Sequence, residues 1–309
     1  MGRILITPRS LTANPPPALD ALREAGHELV FAPAGKTPSE ADLLALVPGC
    51  TGWLAGVEPV SDAVIAAADA LAVISRNGTG IDNLPRDAIA ARGIEVRRAP
   101  AANAIGVAEL AIGLMIALCR HLPRTATGVA RGDWPRMAGR EIAGTTVGVI
   151  GLGAIGRKVA RILVAMDAKV IAHDPFAGDL GPLAGAVTLL ERDAVFSAAE
   201  IVTLHCPMPE DGRALIDAEA IGRLGPDALV VNTARAGLVE AAALVAALEE
   251  GRLAGYGTDV FDPEPPTDLA IAGHPKVIAT SHIGGLTRQS VERATRAAID
   301  NLLDGLGAR

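Results

Sequence analysis

Aromatic side chains are scarce: Phe, Trp and Tyr together make up 2% of the 309 residues. Cores must therefore be built from Val, Ile, Leu and Ala, and a chain that is half hydrophobic has enough of them to exclude disorder. Cysteine is equally sparse. Cys50, Cys119 and Cys206 lie far apart and form no Cys-x-x-Cys pair, which excludes a disulfide framework and a zinc signature and fits a reducing compartment. No basic run exceeds Arg97-Arg98 and the formal net charge is −7, so nucleic acid is not expected as a partner. No apolar stretch is long enough to span a bilayer. The longest, Ala104 to Cys119, carries Glu109 in its middle. The start, Met-Gly-Arg-Ile-Leu-Ile, lacks a signal-peptide apolar region, and Ile6 stands where a myristoylation signal has Ser or Thr. A cytoplasmic protein, with neither membrane nor metal in its chemistry, is the expectation.

What is present is a regular alternation of short apolar runs with helix-length amphipathic segments. Arg3–Thr7, Leu29–Ala32, Gly52–Gly56, Leu71–Ser75 and Ile94–Arg97 read as buried strands, with helical patterns at Ala18–Ala25, Ser39–Leu46, Asp62–Ala68 and Pro85–Arg92. This rhythm predicts an α/β fold with a parallel sheet covered on both faces. Ser39 and Ser61 are candidate N-caps, and Asp42 completes a capping box only for the first. A long helix, roughly Asn103 to His121, interrupts the rhythm, and Pro123 and the Gly132–Trp134–Pro135 stretch break it. Strand patterns resume at Thr146–Gly151, Lys169–Asp174, Ile201–His205, Ala228–Asn232, Gly255–Val260 and Val277–Thr280, before an amphipathic closing helix, Thr287 to Leu303. Two doubly wound parallel-sheet units, with a break near Ala99–Ala102, are the simplest architecture.

The sixth apolar run leads into Gly151-Leu-Gly153-Ala-Ile-Gly156 and then a helix, Arg157–Met166. Gly151 permits a tight turn, Gly153 lets a pyrophosphate approach the backbone, and Gly156 lets helix and strand pack closely. The phosphates would lie at the helix N-terminus, where free N–H groups favour an anion. Glycines of this spacing also make ordinary turns, so the context matters: strand before, helix after, and an acid 18 residues beyond Gly156 at Asp174. Alone, Asp174 before Pro175 is a turn residue. Here it suits the adenosine ribose hydroxyls and would repel a 2′-phosphate, and His173-Asp-Pro-Phe176 offers no Arg to counter it. NAD is the expected cofactor.

Three downstream segments hold groups able to do chemistry at strand ends: Asn232-Thr-Ala-Arg235, Asp259-Val-Phe-Asp-Pro-Glu264 and Thr280-Ser-His282. Taken singly, Arg235 reads as a surface ion pair, Glu264 as a loop residue before prolines, and His282 as structural. In sheets of this class, however, ligands bind outside the carboxyl ends of the strands, where these residues could converge. Oxidising an alcohol removes a hydride and a proton, so a base such as imidazole is needed. A carboxylate orients that imidazole, and a guanidinium holds the substrate carboxylate.

With Arg76-Asn-Gly-Thr-Gly-Ile-Asp-Asn83 and Val107-Ala-Glu109, these segments resemble the D-isomer-specific 2-hydroxyacid dehydrogenases across nearly the whole chain, closest to the phosphoglycerate dehydrogenase-like members. The resemblance implies a Rossmann NAD domain, residues 99–283, inserted into a flavodoxin-like substrate domain made of 1–98 and 284–309. It implies a catalytic set of Arg235, Glu264 and His282, and a substrate carboxylate held at Arg76, Asn77, Gly78 and Thr79. The NAD site would comprise Thr79, Val107, Gly151, Gly153, Ala154, Ile155, Gly156, Asp174, Cys206, Thr233, Ala234, Arg235, Asp259, His282, Gly284 and Gly285, with Asp259 on the nicotinamide carboxamide. His205, at a strand end beside that pocket, is read as structural. A homodimer is implied, with Trp134 and Arg136 reaching the partner.

The substrate is a small 2-hydroxy or 2-keto acid. Phosphate-binding members of the family tend to carry a base in the loop after the third strand, and Leu54-Ala-Gly-Val-Glu58 has none. Arg76 and Arg136 are the cations left to recognise an anionic tail, and glyoxylate or hydroxypyruvate reduction is the alternative to phosphoglycerate oxidation. No regulatory domain is expected after Arg309. A corepressor-type NAD-sensing protein shares the fold and the catalytic trio; it would be expected to add tails and an exposed peptide groove.

Overall fold

The computed structural model describes residues 2–81 and 83–307, so Asp82 of the Arg76–Asn83 segment and the chain end at Arg309 lie outside the described residues. The chain divides into two compact units, Met1–Asn103 with Thr287–Arg309, and Ala104–Leu286.

In the first unit, β1 (Arg3–Ile6), β2 (Glu28–Phe31), β3 (Cys50–Ala55), β4 (Val73–Arg76) and β5 (Glu95–Arg98) form a wholly parallel sheet in the order β2-β1-β3-β4-β5. That is the flavodoxin-like order, reversing between β1 and β3. Successive side chains on a strand point to opposite faces. Leu5, Trp53 and Ile74 therefore pack with Leu43, Val64, Ile65 and Ile89 of the covering helices, while Ile4, Ile6, Leu54 and Val73 pack with Ala298, Ile299 and Leu302. Burial on both faces is why these strands read as unbroken apolar runs. Ser39 accepts from Asp42 N and Asp42 accepts from Ser39 N, whereas Ser61 caps one-sidedly through Val64 N. The closing helix, Arg288–Gly305, starts at a Thr287 cap and is pinned to this unit by Arg293 Nε to Ala102 O (2.9 Å) and Asn301 Nδ2 to Arg98 O (2.8 Å).

The second unit holds β6 (Thr146–Ile150), β7 (Lys169–His173), β8 (Val187–Leu189), β9 (Ile201–Leu204), β10 (Leu229–Asn232), β11 (Gly255–Thr258) and β12 (Val277–Ala279). They are parallel in the order β12-β11-β10-β9-β6-β7-β8. This is the Rossmann order with a seventh strand added at one edge. The short edge strand β8 is not expected from the sequence, because Thr188 and Leu189 are exposed and leave no apolar run. The helix Ala104–Cys119 is mostly buried and turns only Glu109 and a few apolar residues outward.

The long helix ends at Cys119, ahead of Pro123, as expected, but a further helix follows that was not expected. Pro123 sits in the first turn of a further helix, Leu122–Ala130, where its missing N–H is not needed. The chain bends by 66° between the two helices, with His121 at a left-handed φ of 53°. Among the described residues no single helix is long and apolar enough to cross a membrane.

Candidate active site

The turn after β6 shows why the glycines stand where they do. Gly151 has φ +94°, and a Cβ there would meet His205 O at 2.7 Å. A Cβ on Gly156 would lie 1.8 Å from Gly151 O, so only glycine lets the helix Gly156–Ala165 start this close to the strand. At Gly153 the same atom would meet nothing within 4 Å. The turn is thus closed on the protein side and open outward at a helix N-terminus, a shape that suits a phosphate-bearing ligand.

Asp174, just past β7, accepts Leu152 N at 2.6 Å and Phe176 N at 2.8 Å, which fixes its carboxylate against this turn. Arg157, which sequence reasoning passed over, donates from Nε to Leu152 O (2.8 Å), from Nη1 to Asp179 O (2.8 Å) and from Nη2 to Ala177 O. It laces the glycine turn to the loop after Asp174, and its place beside Gly156 was the available clue. A cavity of about 350 Å³ opens against His173, Glu191, Arg192 and Asp193. The cavity holds an Arg beside His173, but Arg192 Nε is paired to Asp193 at 3.1 Å and two acids share the space.

Beyond β10, Asn232 is fully buried; its Nδ2 donates to Arg235 O (2.8 Å) and its Oδ1 accepts from Ala234 N (3.0 Å). That side chain shapes the loop that presents Arg235, whose Nη1 donates to Ala234 O at 2.7 Å. Thr233 is buried, and its hydroxyl has no partner among the described residues.

The most complete arrangement follows β11 and β12. Asp259 is 2% exposed; its Oδ1 accepts from Thr280 Oγ1 (2.6 Å) and Ile283 N (2.8 Å), and its Oδ2 accepts from Gly284 N (2.7 Å). These bonds bracket His282, which is held at φ 55°, a left-handed conformation that a non-glycine residue adopts only when its surroundings impose it. Held there, the exposed ring directs Nδ1 to both oxygens of Glu264, at 2.7 and 3.0 Å. Glu264 is itself fixed by Phe261 N at 3.0 Å. Asp259 and Thr280 are thus the scaffold of the imidazole, a role the sequence did not reveal for Thr280. With three donors on two oxygens, one lone-pair direction on Asp259 Oδ2 is left for a further donor.

His205 differs in every respect. Its Nε2 lies 2.9 Å from Thr203 Oγ1, its Nδ1 is shut off from solvent without a partner, and burial pushes its pKa down to about 3. Burial likewise pushes the neighbouring Cys206 thiol up to about 11. In the sheet order, the ends of β12, β11, β10, β9, β6 and β7 carry His282, Asp259, Arg235, Cys206, the glycine turn and Asp174 as neighbours along one edge.

In the first unit, Arg76 ends β4 and is 7% exposed, with Nη1 donating to Asn77 O (3.2 Å) and Ala55 O (3.5 Å). Asn77 and Gly78 are half-buried and Thr79 is exposed, its hydroxyl donating to Ala99 O at 3.3 Å. Val107 packs close to Gly284 in the second unit. Trp134 and Arg136 are exposed.

Comparison with known proteins agrees with this geometry. Residues 112–284 match the family model for the NAD-binding domain of D-isomer specific 2-hydroxyacid dehydrogenase. A D-3-phosphoglycerate dehydrogenase of Mycobacterium tuberculosis is 37% identical over 260 residues, covering 83% of this chain and 49% of the relative. A hydroxypyruvate reductase of Thermotoga maritima is 35% identical over 249 residues, 79% of this chain and 80% of its own. The chain thus spans about half the length of the phosphoglycerate dehydrogenase relatives it matches. The crystal structure of the TT0316 protein from Thermus thermophilus superimposes with a TM-score of 0.88 at 32% identity, covering 99% of this chain and 97% of that one.

Proposed function

The chain belongs to the D-isomer-specific 2-hydroxyacid dehydrogenase family, and we propose that it moves a hydride between NAD(H) and C2 of a small 2-hydroxy or 2-keto acid. The observation that carries this reading is the row of functional groups along the C-terminal edge of the seven-stranded sheet, ending in the His282–Glu264 pair. The nicotinamide dinucleotide, when bound, supplies or takes the hydride.

The remaining work falls to the chain. The turn Gly151–Gly156, with Ala154 and Ile155, holds the pyrophosphate, and Asp174 takes the adenosine ribose. Val107, Cys206, Thr233, Ala234, Gly284 and Gly285 line the dinucleotide, and the remaining lone pair of Asp259 receives the carboxamide. Arg235 grips the substrate carboxylate with planar N–H donors and polarises the carbonyl. Because His282 Nδ1 faces Glu264, Nε2 is the nitrogen that exchanges the proton with the substrate oxygen. Glu264 fixes the ring through Nδ1, which leaves Nε2 for the substrate. In the first unit, Arg76, Asn77, Gly78 and Thr79 form the segment assigned to the substrate carboxylate, with the Asn77 and Gly78 N–H groups themselves bonded to Ala55 O and Arg76 O at 2.9 and 2.8 Å.

Two substrate readings stand: oxidation of a phosphoglycerate and reduction of hydroxypyruvate, which match the names of the relatives, with glyoxylate as a smaller variant of the second. Assay of a panel of 2-keto acids with NADH and NADPH, followed at the nicotinamide absorbance band, tests the proposal. Turnover with NADH and little with NADPH is expected. Silence across the panel would sink it and favour an NAD-sensing binding protein.

The same reading includes a cytoplasmic homodimer. Ile105, Ile116, Leu122, Val129 and Trp134 are exposed within one short stretch, and no residue of the helix Leu122–Ala130 is buried. Such a patch suits a second copy. Light scattering that returned a single 31.5 kDa chain would remove it.

A further inference from the structure

The cofactor site relies on Asp174, and the loop that carries it has little of its own to hold it. Residues 174–181 bury only Ala177, Phe176 is 92% exposed, and Gly178 and Gly181 take left-handed φ values of 55° and 53°. Glycine leaves a chain more backbone freedom than any other residue, so such a loop needs an outside tie. The carboxylate is nevertheless fixed, with Oδ2 accepting from Leu152 N at 2.6 Å and Oδ1 from Phe176 N at 2.8 Å. A carboxylate has about four lone-pair directions, which leaves one on each oxygen for a ribose hydroxyl.

The tie is Arg157, in the first turn of the helix Gly156–Ala165. Its Nε donates to Leu152 O (2.8 Å), its Nη1 to Asp179 O (2.8 Å) and its Nη2 to Ala177 O. The Leu152 peptide is thus gripped from both sides, its N–H by Asp174 and its carbonyl by Arg157. The same guanidinium takes two carbonyls beyond Asp174, so one rigid fork sets the spacing between glycine turn and acid loop. A lysine would bring the charge to this place without the fork, because its ammonium is a single point. Geometry, not charge, is what arginine adds.

We propose that Arg157 is a positioning residue for the adenosine end of the dinucleotide. It fixes Asp174 against the glycine turn before any ligand arrives, and through Asp174 it sets the affinity for NAD(H) and the preference over NADP(H). This rests on the dehydrogenase reading above.

The test compares wild type with Arg157→Lys by equilibrium binding. NADH and NADPH are followed by their own fluorescence, and ADP-ribose, which lacks the nicotinamide, by calorimetry. Kd for NADH and for ADP-ribose should rise by the same factor, about tenfold, and the preference for NADH over NADPH should narrow. At saturating NADH, kcat should stay within about twofold, a split that a loosened fold alone would not give. In an Asp174→Ala background the same substitution should cost about twofold or less, because its effect runs through the missing carboxylate. Should the variant fold poorly, hydrogen exchange on wild type decides: the amides of residues 174–181 should be protected before ADP-ribose is added. Unchanged Kd values, full additivity with Asp174→Ala, or a loop that gains protection only with ADP-ribose overturns the assignment while the dehydrogenase stands. No binding of NADH or ADP-ribose by wild type overturns both.

Discussion

Two histidines follow strands of the same parallel sheet, and their surroundings make different groups of them. His282, in the loop after β12, is exposed and faces the Glu264 carboxylate, while His205, directly after β9, has one nitrogen on Thr203 and the other shut away. Residue type and position at a strand end are shared. What differs is the partner. A carboxylate fixes the one ring; burial keeps the other neutral, with a pKa pushed down to about 3. The same residue type near the same edge is therefore fixed by an acid in one loop and closed off in another.

The comparison can be broken most sharply at His282. His282→Ala should lower kcat by about two orders of magnitude or more, the usual contribution of a general acid–base group, with circular dichroism unchanged. A kcat within a fewfold of wild type would strip His282 of its role. Glu264→Gln should reduce kcat by roughly tenfold, because the ring loses the carboxylate that orients it. An unchanged kcat would mean that Glu264 does not position the ring.

The smallest effect is expected at His205 and reads out in stability. From its ordinary value of 6.5 down to about 3, the unfolded chain binds a proton at this residue and the folded chain does not. Stability from this source is complete above pH 6.5 and declines as pH falls, by up to about 1.4 kcal/mol per unit. His205→Gln should flatten the acid side of the Tm–pH curve by about 2–4 °C per unit. Parallel curves for the two proteins would show that His205 titrates alike folded and unfolded.

Much of the fold was legible because its causes are local. Strands buried on both faces, such as Gly52–Ala55 and Val147–Ile150, appear as apolar runs, and the capping box at Ser39 is written in adjacent residues. The edge strand β8 and the helix behind Pro123 were not legible. The first has no buried face to require an apolar run, and the second, though amphipathic, is short and carries Pro123 near its start, which reads as a break. In the site, the glycine turn and the three downstream segments could be picked out by residue type and order. The clamp that Asp259 places around His282 and the lacing of the turn by Arg157 could not, because each joins residues by hydrogen bonds that composition does not announce.

By itself the sequence determined the parallel α/β architecture, the family, and the residue types available for hydride and proton chemistry, since these depend on periodicity and on motifs of fixed spacing. Tertiary structure decided which of two strand-end histidines meets a carboxylate, and which arginine laces the glycine turn to the loop after Asp174. That division has a physical reason. Reactivity and specificity are set by what lies within about 3 Å of a group, and in a doubly wound sheet those neighbours arrive from strands far apart along the chain.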